Sequence, residues 1–186
     1  MKEELDQCLE VLKQGGLILY PTDTIWGIGC DATNEEAVAK IYALKKRSDA
    51  KSLISIVSTD AMLQRFVVEI PEIAWDIIDL SDKPTTMIYP KARNIARNAV
   101  AEDGSIGIRL IRNGFAHQLA HRFNKAIIST SANISNEPSP ALFTEISEEI
   151  KSGVDYVVDP QFDSGTHSSS SILKIGLKGE IAVIRK

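Results

Sequence analysis

Short apolar runs alternate along this chain with segments whose apolar residues recur at helical spacing, and that alternation restricts the fold more than any other feature. Runs at 17–20, 53–57, 86–89, 106–110, 126–129, 156–158, 172–175 and 181–184 have the length and bounding residues of buried strands. Between several of them lie helical patterns. Leu5, Cys8, Leu9 and Leu12 form one stripe, ended by Gly15-Gly16. Ala37, Val38, Ile41 and Leu44 form another, opened by the capping-box pattern Thr33-x-x-Glu36. Further helices are expected at 61–66, 73–80, 115–123 and 144–150. The pattern predicts an α/β fold with a mixed sheet and flanking helices. No internal repeat or linker interrupts it, and the serine run 168–171 is the one low-complexity stretch, so a single domain spanning 1–186 is expected.

A chain of 186 residues buries enough surface to fold without disulfides or a structural metal. Its formal net charge of -4 argues against a protein that coats nucleic acid through phosphate contacts, though it leaves room for a local basic cleft. Cys8 and Cys30 form no CxxC, and His117, His121 and His167 are too dispersed for a zinc site, so no metal ligands are assigned and both thiols are expected to be buried and reduced. No apolar run approaches the ~18 residues of a membrane span, so no membrane partner is expected and a cytoplasmic location is the default expectation.

Four polar clusters follow the apolar runs. Lys45 and Arg47 lie two apart after a helix; in an extended segment both would face one side, and a guanidinium fork beside an ammonium suits phosphate oxygens, with Lys51 close by. A solvated basic turn at a helix C-terminus is the plainer alternative. Ser129, Ser131 and Asn133 obey the same alternation at the carboxyl end of a strand, where α/β sheets bind ligands; a helix N-cap or turn competes with that reading. Thr22, Asp23 and Thr24 occupy the corresponding place after the first strand, with Gly27 and Gly29 beyond, and a turn built on Pro21 and Asp23 is the competing explanation. Ser170 and Ser171 run directly into the apolar pair Ile172-Leu173. Hydroxyls, an amide and fixed cations from separate segments are what a site needs to hold a phosphorylated ligand beside a small polar one.

Taken in order, these residues resemble the YrdC-like family, best known for threonylcarbamoyl-AMP synthases. The matching stretches are Pro-Thr-Asp-Thr-Ile-Trp-Gly-Ile-Gly-Cys-Asp-Ala at 21–32, Lys45-x-Arg47 with Leu53, Gly107-Ile108-Arg109, Ser129-Thr130-Ser131-Ala132-Asn133, Ser170-Ser171 and Ile184-Arg185. The resemblance implies a twisted open mixed sheet, of the YrdC-like or DHBP synthase-like kind, with a large concave, positively lined cleft. It implies a nucleotidyltransferase that joins L-threonine, bicarbonate and ATP to give threonylcarbamoyl-AMP and pyrophosphate, with Mg²⁺ carried by the ATP. The partner would be a downstream tRNA-modifying transferase, with tRNA or double-stranded RNA as a further contact. By motif, Lys45, Arg47, Ser131 and Asn133 would be catalytic. Those four with Lys51, Ser105, Ser139 and Arg185 would meet the nucleotide, while Thr24, Arg109, Ser129, Ser170 and Ser171 would hold threonine.

The chain departs from the family pattern at several places. Ser81-Asp82-Lys83-Pro84 stands where a Trp-Pro-Gly-Pro stretch is common, Ser48 and Ser52 replace prolines, Trp26 replaces a usual Tyr, Asn136 stands where Gly often occurs, and Ile56 replaces a His found in some synthases. A paralogue of YciO type that binds RNA or nucleotide without synthase activity is the competing class. Carbamoyl transfer of the hydrogenase-maturation kind is disfavoured by the lack of accompanying zinc-finger and acylphosphatase segments. Any lid over the cleft is expected to come from the chain's own loops, with 160–169, containing Gly165, as the candidate.

Overall fold

The computed structural model describes residues 1–47 and 53–186. In chain order the elements are α1 (Lys2–Lys13), β1 (Ile18–Tyr20), β2 (Gly27–Gly29), α2 (Glu35–Leu44), β3 (Ile54–Val57), α3 (Asp60–Phe66), α4 (Glu72–Leu80), β4 (Thr85–Tyr89), β5 (Ile106–Leu110), α5 (Gly114–Phe123), β6 (Ile127–Ile128), β7 (Thr130–Ser131), α6 (Glu148–Ser152), β8 (Tyr156–Val157), β9 (Ser171–Ile175) and β10 (Ile181–Arg185). Short 3-10 turns occupy Arg97–Ala99, Phe143–Glu145 and Pro160–Phe162. The α/β class and mixed pairing agree with the sequence pattern, but the strands divide between two sheets. One has the order β7-β2-β1-β8 and the other β10-β9-β4-β5-β3-β6. In the larger sheet, antiparallel and parallel pairings alternate from β10 to β6.

Period-two alternation explains how the larger sheet serves two purposes. On β5, Ile106 and Ile108 enter the core, while Gly107 and Arg109 turn to the opposite face. On β4, Met87 and Tyr89 are buried in the core and Thr86 and Ile88 take that opposite face. It is floored by Ile54 of β3 and Ile172 of β9 as well. Helices α3 and α5 pack against β5 and β3. Buried side chains from both sheets and from α5, including Leu19, Ile28, Ile56, Ile108 and Leu119, belong to one contiguous core.

The stretch from Ala126 to Ser131 joins the sheets. Ile127 and Ile128 pair with β3, Thr130 and Ser131 pair with β2, and Ile128 also donates its N–H to the Cys30 carbonyl at 2.9 Å. Close approach at this seam requires Gly29: a Cβ there would lie 2.7 Å from the Tyr20 ring and 2.9 Å from the Ile128 carbonyl oxygen. Both cysteines are buried and free.

Three local expectations change. Asn34, not Thr33, caps α2, its side chain accepting from the Ala37 N–H at 3.1 Å, because Thr33 is already committed to Asp31 Oδ1 through its hydroxyl and its N–H. The single helix expected at 144–150 is a 3-10 turn and then α6, which starts afresh at the N-cap Ser147. Strands β2 and β7 had no sequence signal of their own, one being Gly-Ile-Gly and the other two residues long. Among the described residues, no helix is long and apolar enough to cross a membrane.

Candidate functional site

A cavity of about 550 Å³ lies where the two sheets meet, and every polar cluster singled out in the sequence reaches it or borders it. Thr22, Thr24 and Trp26 come from the connection between β1 and β2; Ser129, Thr130 and Ser131 come from the seam. Thr86 and Arg109 rise from the larger sheet, and Ser169, Ser170 and Arg185 close the far side, with Arg47 and Ser139 on the rim. The floor is apolar, formed by Ile54, Ile88, Ile172 and Ile184 around Gly107. Such a mixture, an apolar bed with a few convergent polar groups, is the usual make-up of a small-molecule site.

At one end Arg109, 5% exposed, is held from three directions. Its Nε donates to Asp23 Oδ1 at 3.1 Å and its Nη2 lies 3.0 Å from the same oxygen. Nη2 also donates to Thr24 Oγ1 at 3.2 Å, and Nη1 makes a long contact of 3.5 Å to Thr86 Oγ1. Thr24 shares a 2.9 Å hydrogen bond with Thr22, whose hydroxyl turns to the Ile25 carbonyl at 2.7 Å. Thr86 and Ser170 share a hydrogen bond of 2.9 Å, and Arg185 donates to the Ser170 carbonyl at 2.9 Å and to its Oγ at 3.3 Å. Arg185 reaches the cavity because a register shift between Val183 and Arg185 interrupts the pairing of β10 with β9.

The basic cluster is arranged differently from the expectation. Lys45 is the C-cap of α2 in helical conformation and Lys46 follows with φ of 50°, so the segment is a helix-terminal turn and the two-residue alternation of an extended chain does not apply. Lys46 is exposed and pairs with Glu149, while Arg47 reaches the rim of the cavity. Lys45 is only 2% exposed and stands behind the wall: its Nζ donates to the carbonyls of Ser131 at 2.6 Å and Asn133 at 2.5 Å. Burial, and after it the charge of Arg47, bring its pKa down from 10.5 to about 8. Burial also lowers the pKa of Arg47. Burial first, and then Arg109, lower that of Arg185.

Of the remaining candidates, Thr24, Arg109, Ser129, Ser131, Ser139 and Ser170 line the cavity. Asn133 does not; its amide donates to the carbonyls of Ile134 and Glu137 and holds the turn that follows. That turn contains Asn136 at φ of 72°, a conformation open to glycine and tolerated by asparagine, which accounts for either residue at this position. Ser105 is directed away from the cavity, its hydroxyl donating to Asp103 Oδ1 at 2.5 Å. Ser171 sits at the start of β9, opposite Thr85, and is not part of the wall. Lys51, Ser48 and Ser52 lie outside the described residues. The departing loop 81–84 borders a separate hollow of about 380 Å³, which is lined by Asp23, the partner of Arg109. The sequence placed Asp23 in a polar cluster or a turn but offered no sign of its pairing with Arg109, nor of any role for Thr86, because their partners are 86 and 84 positions away.

Residues 160–169 form a strap pinned beside the cavity. The Thr166 N–H donates to the Asp23 carbonyl at 3.1 Å and the His167 N–H to the Thr24 carbonyl at 2.8 Å. Asp163 accepts from the Trp26 indole at 2.8 Å and from the Gly165 N–H at 3.1 Å. Gly165 is required by contact: a Cβ there would overlap the carbonyl oxygens of Thr24 and Thr22. Trp26, 1% exposed, packs its ring 4.7 Å from that of Phe143.

The family profile of Sua5, YciO and YrdC proteins, described as "Telomere recombination", matches residues 10–186. A protein of Pseudoalteromonas translucida named threonylcarbamoyl-AMP synthase is 30% identical over 173 residues, covering 91% of each chain. A doubly substituted P. abyssi Sua5 superimposes with a TM-score of 0.87 at 24% identity, over 97% of this chain and 55% of that one. P. abyssi Sua5 complexed with L-threonine does so with a TM-score of 0.82 at 24% identity, over 92% of this chain and 50% of that one. These two solved structures show the fold, and this chain spans about half their length. With the profile matched over nearly every residue, the chain belongs to the Sua5/YciO/YrdC family.

Proposed function

We propose that this protein is a threonylcarbamoyl-AMP synthase, an enzyme that condenses L-threonine, bicarbonate and ATP. The observation that carries the reading is one cavity lined by both sets of groups: Arg109, bonded to Thr24 and linked through Thr86 and Ser170 to Arg185, with Arg47, Ser131 and Ser139 lining it as well. Support also comes from the synthase name carried by the P. translucida relative and from the threonine complex of P. abyssi Sua5.

In this reading Arg109 receives the carboxylate of threonine, and the hydroxyls of Thr24, Ser129 and Ser170 fix the rest of it. The amine nitrogen of threonine bonds to the carbon of bicarbonate with loss of water, giving a carbamate. A carbamate oxygen then attacks the α-phosphorus of ATP in line. The bond from that phosphorus to the bridging oxygen breaks, and pyrophosphate leaves with the electron pair. Little covalent help is needed; the protein supplies placement and charge. Arg47 and Arg185 take the phosphates, Ser131 and Ser139 add hydroxyl donors, and Lys45 adds its charge from behind Ser131. Lys45 Nζ stays on the carbonyls of Ser131 and Asn133, and its charge acts on the phosphates through the wall. Asn133 acts by shaping the turn that Lys45 grips.

Mg²⁺ enters as part of the substrate, Mg·ATP. Among the described residues no group of three or more His, Cys, Asp or Glu is placed to hold a metal, and Asp23 is taken up by Arg109, so the donor set fits an ion carried in on phosphate rather than caged by protein. The product would pass to a tRNA-modifying transferase. The test is pyrophosphate release from ATP by the purified protein, with threonine and bicarbonate each omitted in turn. Release that requires both is expected; bound ATP without release would shift the assignment to a nucleotide-binding paralogue.

A further inference from the structure

Two guanidinium groups stand three hydrogen bonds apart in the cavity, along the path from Arg109 Nη1 to Thr86 (3.5 Å), to Ser170 (2.9 Å), to Arg185 Nη2 (3.3 Å). A polyphosphate entering there meets two cations of equal formal charge. Only one of them has a carboxylate. Asp23 sits on the Nε and Nη2 edge of Arg109, whereas Arg185 has no acidic partner among the described residues. Asp23 does not itself line the cavity; it approaches Arg109 from behind, on the side of the second hollow.

That placement has two consequences. The Nε hydrogen and one Nη2 hydrogen go to Asp23, and the other Nη2 hydrogen goes to Thr24, so Nη1 is the group whose hydrogens are least committed. The charge at this end is also cancelled at contact distance, in a setting where both partners are largely buried and screening is weak. We infer that Asp23 is a positioning residue that presents Arg109 to a single carboxylate and leaves polyphosphate to Arg185 and Arg47. The inference rests on the reading of Arg109 as the partner of the amino-acid carboxylate. The backbone of residue 23 separately anchors the strap through the Thr166 N–H, so a side-chain change leaves that contact in place.

The test is calorimetric titration of L-threonine into the full chain, with and without inorganic tripolyphosphate as a probe that cannot react. The native protein is expected to bind threonine whether or not tripolyphosphate is present. In Asp23→Asn, threonine binding weakens about tenfold or more and tripolyphosphate now competes with it, because the unmasked Arg109 accepts the larger anion. Adding Arg109→Gln to Asp23→Asn removes the cation and should abolish the competition while threonine stays weak. Asp23→Glu, which keeps the charge and lengthens the side chain, should weaken threonine without admitting tripolyphosphate, and it serves if Asp23→Asn fails to fold. Native-like threonine binding by Asp23→Asn without competition, or competition that survives loss of Arg109, overturns the inference alone. Failure of the native protein to bind threonine overturns the carboxylate reading itself.

Discussion

The ammonium of Lys45 lies 2.6 Å from the carbonyl oxygen of Ser131, tying the end of α2 to β7. The same nitrogen holds the Asn133 carbonyl, so one buried cation secures the corner from which Ser131 faces the cavity. Its lowered pKa, about 8, gives this contact a pH signature. If the charge draws in phosphate, the affinity for Mg·ATP should fall above about pH 8, by up to about tenfold per pH unit. Lys45→Arg should flatten that limb, since a guanidinium stays charged. Stability moves the other way. Between about 8 and 10.5 the unfolded chain holds the proton that the folded chain has released, so this group's contribution rises with pH across the window and is lost as pH falls through about 8. Affinity measured by calorimetry from pH 7 to 9.5 and found flat would remove Lys45 from nucleotide binding.

Arg47 stands on the cavity rim at the end of the turn after α2. Arg47→Ala is expected to reduce turnover by about a hundredfold or more, the scale seen when a charge-stabilising donor is removed, with the circular dichroism spectrum unchanged. Near-normal turnover would exclude it from the mechanism.

Thr24 is joined by hydrogen bonds to Arg109 and Thr22, among the groups assigned to threonine. Thr24→Val keeps the shape and deletes the hydroxyl. KM for threonine should rise about fivefold while KM for ATP stays within twofold, the cost of one buried hydrogen bond being about 1 kcal/mol. Equal losses for both substrates would contradict the assigned role.

The strap is secured by the Thr166 and His167 N–H groups, by Asp163 and by the fit of Gly165. Asp163→Ala leaves the Trp26 indole N–H without an acceptor and should cost about 1–3 kcal/mol. Amide exchange at Thr166 and His167 should accelerate more than exchange in β5, as read by hydrogen-exchange mass spectrometry. Gly165→Ala should displace the same segment by steric conflict with Thr24 and Thr22. Uniform exchange across the protein would mean that the strap opens only with global unfolding.

Most of the elements were legible because burial and period agree in them: the Leu5, Cys8 and Leu12 stripe of α1 is buried, and Ile106 and Ile108 flank Gly107 as alternation demands. Several of the polar candidates that line the cavity, among them Ser129, Ser131, Ser170 and Arg185, sit at the end of a strand or in the seam, whereas Arg47 follows a helix and Ser139 lies in a loop. Misreadings have specific causes. Lys45 and Arg47 were expected on an extended segment, but the left-handed turn at Lys46 breaks the alternation, a backbone event that lysine does not advertise. Asn133 has the right spacing and the wrong occupation, since nearby carbonyls claim its amide. The Asp23–Arg109 pair and the Thr86–Ser170 contact are long-range and leave no local pattern.

The seam at Ala126 to Ser131 has a mechanical consequence. Because adjacent residues are stitched to different sheets, spreading the walls of the cavity would shear this short ribbon, and a ligand gripping both walls does the work of a crosslink. Occupancy should therefore be readable from outside as resistance to proteases, with the protein behaving as a clasp whose tightness reports its cargo.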